Sequence, residues 1–119
     1  MSLISDLAAR QLVAYNAADL DAFCDCYHPE VRVLGGPDGL DEQPPGLDAF
    51  RDRYRDLFTR WRFGAEVSER LVLSGHAVDL ERWWRIDPDR GERFEGEILV
   101  RYTLRDDRIG VVQFLKPTP

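Results

Sequence analysis

Apolar residues recur with the period of a helix through the first half of the chain and with the period of a strand through the second. Ile4, Leu7, Ala8, Gln11, Leu12 and Tyr15 fall at i, i+3, i+4 and i+7, one buried face with the polar amide of Gln11 in its middle. The pattern stops at Asn16. A second one starts after Asp19, a side chain suited to cap a helix, and carries Leu20, Phe23, Cys24 and Tyr27 until Pro29 closes it. Val31 to Leu34 then reads as a short strand. From Gly35 to Gly46 the text GGPDGLDEQPPG has no period and predicts a surface loop, long enough to form a rim or lid. Leu47, Phe50, Tyr54, Leu57, Phe58 and Trp61 return to helical spacing, with Asp52–Arg55 and Asp56–Arg60 as charge pairs on the wet side.

The remainder alternates. Ala65–Ser74 and Ala77–Asp87 flank the turn SGHA and predict one hairpin; Phe94–Leu104 and Ile109–Lys116 flank RDDR and predict a second, with a bulge at its short loop. Three helices followed by antiparallel strands predict a single α+β domain over residues 1–119, with the helices against one sheet face. The polar corner at Asn16–Asp19 has a use in such a fold. Two short helices set at an angle, with a third, can cover a strongly curved sheet and leave a cone-shaped hollow, where one long helix could not.

Composition removes several classes of function. The net charge is −6, and fifteen of the sixteen basic residues are arginines interleaved with acids, so no basic stripe exists and nucleic acid is not an expected partner. No apolar run approaches about 18 residues, so no membrane span is expected. Residues 1–15 lack a basic segment and a small-residue cleavage site, which makes the cytoplasm the expected compartment. Cys24 and Cys26, two apart on a predicted helix, point to opposite sides and cannot bridge each other. His28 and His76 stand alone without carboxylate clusters, so neither a metal nor another cofactor is expected. No G-x-S-x-G elbow, P-loop or dinucleotide fingerprint occurs, which disfavours nucleophilic and nucleotide-dependent chemistry.

YNAADLDAF, YHPEV, LDAFRDRYRDLF, ERLVLSGHAVDLE and RYTLRDDRIGVVQFL resemble the nuclear transport factor 2-like superfamily, in its SnoaL-like and steroid-isomerase-like branch, over Leu3 to Leu115. The resemblance implies the cone fold and a pocket. It does not imply one chemistry, because that fold hosts isomerases, cyclases, dehydratases and binding modules. In ketosteroid isomerase a Tyr and a carboxylic acid form an oxyanion hole and an Asp is the base. Those positions align here with Gln11, Val100 and Gly35, so all three groups are lost, while supporting tyrosines fall on Tyr54 and Tyr27.

Strand alternation gives candidate site residues. In the first hairpin Val67, Glu69, Leu71 and Leu73 with Val78, Leu80, Arg82, Trp84 and Ile86 form the more apolar face, expected to meet the helices. A tight turn would then set Glu69 opposite Arg82 on the inner face, and Arg70 opposite Glu81 on the outer one. An inner ion pair is either structural or an anchor for a ligand. Two functions follow. In one the protein is a SnoaL-like enzyme, with Glu69 a general acid/base tuned by Arg82, and with Gln11, Tyr54 and Tyr102 orienting a carbonyl or hydroxyl above Trp84. In the other it is a non-catalytic binding or scaffold protein, its pocket closed by Trp84 and Tyr102. The other sheet face would expose Trp83, Val72, Leu99, Val111 and Leu115 among Arg70, Glu81 and Arg101, and the resemblance implies a homodimer through it.

Overall fold

The computed structural model describes residues 2–118. Helix α1 (Leu3–Asn16) starts where the Ser5 N–H donates to the Ser2 hydroxyl at 3.2 Å, and it buries Ile4, Leu7, Ala8, Gln11, Ala14 and Tyr15. It ends at the expected corner, where Ala18 takes a left-handed φ of 53° and the Asp19 carboxylate accepts from the Ala22 N–H at 3.1 Å. That cap opens α2 (Leu20–Cys24), only five residues long. Tyr27 is therefore not on a helical stripe. It begins β1 (Tyr27–Gly35), where it pairs with Ile109, and the register shift between Tyr27 and Arg32 accommodates Pro29, which has no N–H to give a ladder. Cys24 and Cys26 are both free and buried, and burial pushes both thiols up.

The expected loop after β1 contains a two-residue strand, β2 (Leu40–Asp41), paired back onto β1. Helix α3 (Leu47–Arg60) follows, carrying the Asp52–Arg55 and Asp56–Arg60 pairs on its exposed side at 2.9 and 2.6 Å. Then come β3 (Arg62–Leu73), β4 (His76–Ile86), β5 (Arg93–Arg105) and β6 (Arg108–Leu115). The sheet order is β2-β1-β6-β5-β4-β3, antiparallel except for the β1–β6 pair, and β2 and β3 are open edges. The second hairpin carries its expected bulge, a register shift between Thr103 and Leu104. Among the described residues no helix is long and apolar enough to cross a membrane.

An aromatic cluster joins the helices to the sheet. Tyr15, Phe23, Tyr27, Phe50, Tyr54, Phe58 and Phe63 are all buried, with neighbouring ring centres from 4.3 to 6.1 Å apart. Asn16 docks α1 onto the open edge. Its side-chain amide donates to the Ala65 carbonyl at 2.9 Å and accepts the Ala65 N–H at 2.8 Å, standing in for a neighbouring strand.

The first hairpin departs from the expected phase. The turn closes with Leu73 opposite His76, which sets Glu69 opposite Leu80, and a bulge between Val67 and Glu69 then sets Arg82 opposite Glu66. Phe63, Ala65 and Val67 share the helix-side face with Arg85, Trp83 and Glu81, and beyond the bulge Arg70 and Val72 share it with Asp79 and Ala77. Ala77 and Asp79 are almost wholly buried, whereas Glu69 and Arg82 are exposed. The expected inner pair is not formed. In its place Arg70 grips Asp79 with two bonds of 2.6 and 2.8 Å, at a carboxylate that is 1% exposed.

Candidate functional site

A cavity of about 760 Å³ opens between the helix layer and the sheet. Its wall from the helices is Gln11, Tyr15, Phe23, Tyr54 and Leu57; β4 contributes Glu81, Trp83 and Arg85; and Tyr102, Val112 and Phe114 come from β5 and β6. Volume and lining suit a small organic molecule.

Hydrogen bonding fixes the polar end. Gln11 Nε2 donates to the Ala8 carbonyl at 3.1 Å and to the Tyr102 oxygen at 3.0 Å, while Tyr27 O–H donates to Gln11 Oε1 at 3.0 Å. The carbonyl of Ala8 can only accept, so it settles which end of the Gln11 amide faces it. Tyr102 then accepts from Gln11 and keeps its own proton free. Burial pushes the phenols of Tyr27, Tyr102 and Tyr54 up, so each stays a neutral O–H.

Among the acids that line the cavity is Glu81. Burial, and then the negative charge of Asp79, push its carboxyl up to about 7 against the pull of Arg85. It can therefore donate or take a proton near neutrality. Arg85 follows four residues later on the same face, its guanidinium carbon 5.6 Å from the centre of the Trp83 ring, and its buried Nε has no hydrogen-bond partner. At the mouth, Arg53 donates to Glu42 at 2.8 Å. The Glu42 carboxylate fills the space that a side chain on Gly35 would occupy, so the region does hold a carboxylate, contributed from the loop rather than from β1.

Of the residues expected from sequence, Gln11, Tyr54 and Tyr102 line this cavity together. Glu69, Arg82 and Trp84 do not. Trp84 packs over Gly64 and borders a separate hollow of about 400 Å³ that Arg82 also lines, and Arg93 sits 5.0 Å over its ring. Strand alternation sends Glu81, Trp83 and Arg85 to the outer face, yet all three are in the cavity wall. One signal pointed to them. Asp79, Glu81 and Arg85 would be an unusual wall for a dry core but are ordinary for a wet pocket, so the more apolar hairpin face was the wrong one to send inward.

A family model described as a SnoaL-like domain matches residues 8–111. The chain belongs to the SnoaL-like family. Comparison with the curated proteins gives no match. Among solved structures, this SnoaL-like chain is similar to a cystatin fold protein from Novosphingobium aromaticivorans, at 21% identity and TM-score 0.81 over 98% of this chain and 99% of that one. It is also similar to RV0760c from Mycobacterium tuberculosis in complex with estradiol-17beta-hemisuccinate, at 14% identity and TM-score 0.83 over 96% and 93%. A ketosteroid isomerase-like protein from Erwinia carotovora atroseptica matches at 19% identity and TM-score 0.71 over 98% and 95%. At such identities the shared property is the nuclear transport factor 2-like fold, three helices on an open sheet.

Proposed function

We propose that this SnoaL-like chain binds a small, mostly apolar molecule with a carbonyl or enol oxygen in a cone-shaped pocket, and that Glu81 exchanges a proton with it. That is the chemistry of an isomerase, cyclase or dehydratase. The observation that carries the reading is one cavity holding both a carboxyl that titrates near 7 and a tyrosine, Tyr102, whose proton is left free by Gln11. Tyr102 O–H would hold the oxygen while Glu81 works on the carbon beside it. The steroid-derived molecule bound to RV0760c is consistent with a ligand of this kind. We further propose a cytoplasmic homodimer joined through the sheet face that points away from the helices.

Deuterium exchange at the acidic carbon of β-tetralone, followed by proton NMR, tests the acid–base half. Exchange should exceed that in buffer, rise through neutrality as Glu81 ionises, and fall at least about a hundredfold in Glu81→Gln. The non-catalytic binding reading is favoured by Gln11, Gly35 and Val100, which place no ionisable group at the three isomerase positions. It takes over if wild-type protein exchanges the probe no faster than buffer while β-tetralone still quenches tryptophan emission.

A further inference from the structure

The cavity's charged groups are not all committed. Arg53 at the mouth is held by Glu42 at 2.8 Å and by Gln43 at 3.3 Å. Arg85, on β4, lines the cavity, and no carboxylate lies within salt-bridge distance of it among the described residues. Its guanidinium carbon lies 5.6 Å from the centre of the Trp83 ring and its Nε is sealed from the cavity, which leaves the terminal nitrogens as the part able to meet a ligand. A guanidinium in a mostly apolar wall without a fixed counter-ion suits a carboxylate, which two terminal nitrogens can grip with parallel bonds. The acid nearest along the strand face, Glu81, is disfavoured as a permanent counter-ion by its own burial and by the charge of Asp79.

We propose that Arg85 anchors the carboxylate of a planar, largely apolar organic acid, with its ring system lying against Trp83, Ile98 and Phe114. The inference rests on the reading that the cavity takes a small organic ligand, and it adds which end of that ligand is charged and where the charge sits. A neutral molecule would leave the guanidinium without a counter-charge. An acid supplies one, and the rest of the cavity supplies apolar and aromatic surface for the body of the molecule.

The test compares two probes of one shape, anthracenecarboxylate and its uncharged amide anthracenecarboxamide, by fluorescence titration at mildly acidic pH, where the probe is ionised and Glu81 keeps its proton. Wild-type protein should prefer the carboxylate by at least about tenfold, the value of one charge-assisted hydrogen bond. Arg85→Met should lose that preference, bringing the ratio of the two affinities to within about twofold of one. Should Arg85→Met fail to fold by circular dichroism, Arg85→Lys carries the test. It keeps a charge but offers no two-toothed edge, and its preference should fall by about threefold or more. Equal binding of the two probes by wild type, or an unchanged preference in the variant that folds, overturns the anchor. If the amide binds as well as the carboxylate, the cavity reading stands and only the Arg85 assignment falls. If neither probe binds, both fall.

Discussion

Asp79 and Glu81 are two residues apart on one strand face and meet opposite fates, because only the first is gripped by a guanidinium, whereas Arg85 pulls on Glu81 without forming a salt bridge with it. Arg70 closes on Asp79 with paired bonds of 2.6 and 2.8 Å, and the carboxylate is almost fully buried. Removing one partner strands the other in a dry place, so Asp79→Ala should cost about 3–5 kcal/mol in urea unfolding, and Asp79→Leu with Arg70→Met should restore most of it. Glu69→Ala and Arg82→Ala, both at exposed positions, should stay within about 0.5 kcal/mol of wild type. A large loss at Glu69 would mean that the bulge is absent in solution. Glu81 makes the pH-dependent contribution. Its carboxyl titrates near 7 in the folded protein against an ordinary 4.5, so between those values the unfolded chain releases its proton first. Stability contributed by the neutral form is full below about pH 4.5, declines through this window and is gone above about 7, a difference of roughly 3 kcal/mol. Glu81→Gln should flatten that decline and be the more stable protein at alkaline pH. Parallel stability profiles for the two proteins from mildly acidic to alkaline pH would contradict the assignment.

The β3–β4 hairpin shows what periodicity can and cannot reveal. Helices α1 and α3 and the second hairpin follow their apolar spacing closely, because one face of each meets a core and the other meets water. In the first hairpin two assumptions failed together. The turn closes one residue earlier than a Glu69–Arg82 pairing requires, and a single extra residue in the stretch Val67–Glu69 reverses the facing of the β3 residues beyond it, where Ser68 carries no local signal for a bulge. The rule that the more apolar face turns inward also fails here, because the cavity makes the inner face polar. Gln11, Tyr54 and Tyr102 are legible because they sit on helix and strand positions that keep their period; Glu81 and Arg85 are not, because the whole of β4 faces opposite to what its apolar alternation suggests. The corner after α1 has a further role that composition concealed. Asn16 completes the open edge of β3 with two hydrogen bonds to Ala65, which fixes how α1 lies on the sheet. Asn16→Ala should cost about 2 kcal/mol and speed hydrogen exchange at the Ala65 amide. Asn16→Asp, which keeps the acceptor but turns a carboxylate toward the Ala65 carbonyl, should be no better. An Ala65 amide that exchanges at the wild-type rate in both variants would show that the edge is protected by something else.

The sheet face turned from the helices is where a second copy of the chain would sit. By register, Leu80, Leu99 and Leu115 form a row across β4, β5 and β6, and Leu99 is 41% exposed. On one side of that row Arg82 lies opposite Glu97, and on the other Val78 lies opposite Arg101. An interface with two-fold symmetry must complement itself, and a leucine row bordered by charges of both signs can do so. Trp83 has no part in this surface, since it lies on the cavity side over Gly96. The two faces therefore respond differently to a buried charge. Leu99→Glu should leave the circular dichroism spectrum and anthracenecarboxylate binding intact while converting a dimer at micromolar concentration to monomer in sedimentation. Trp83→Glu should damage the cavity and ligand binding instead, with assembly retained in whatever fraction folds. A wild-type protein that sediments as monomer throughout, or a Leu99→Glu variant that stays dimeric, would move the interface away from this face.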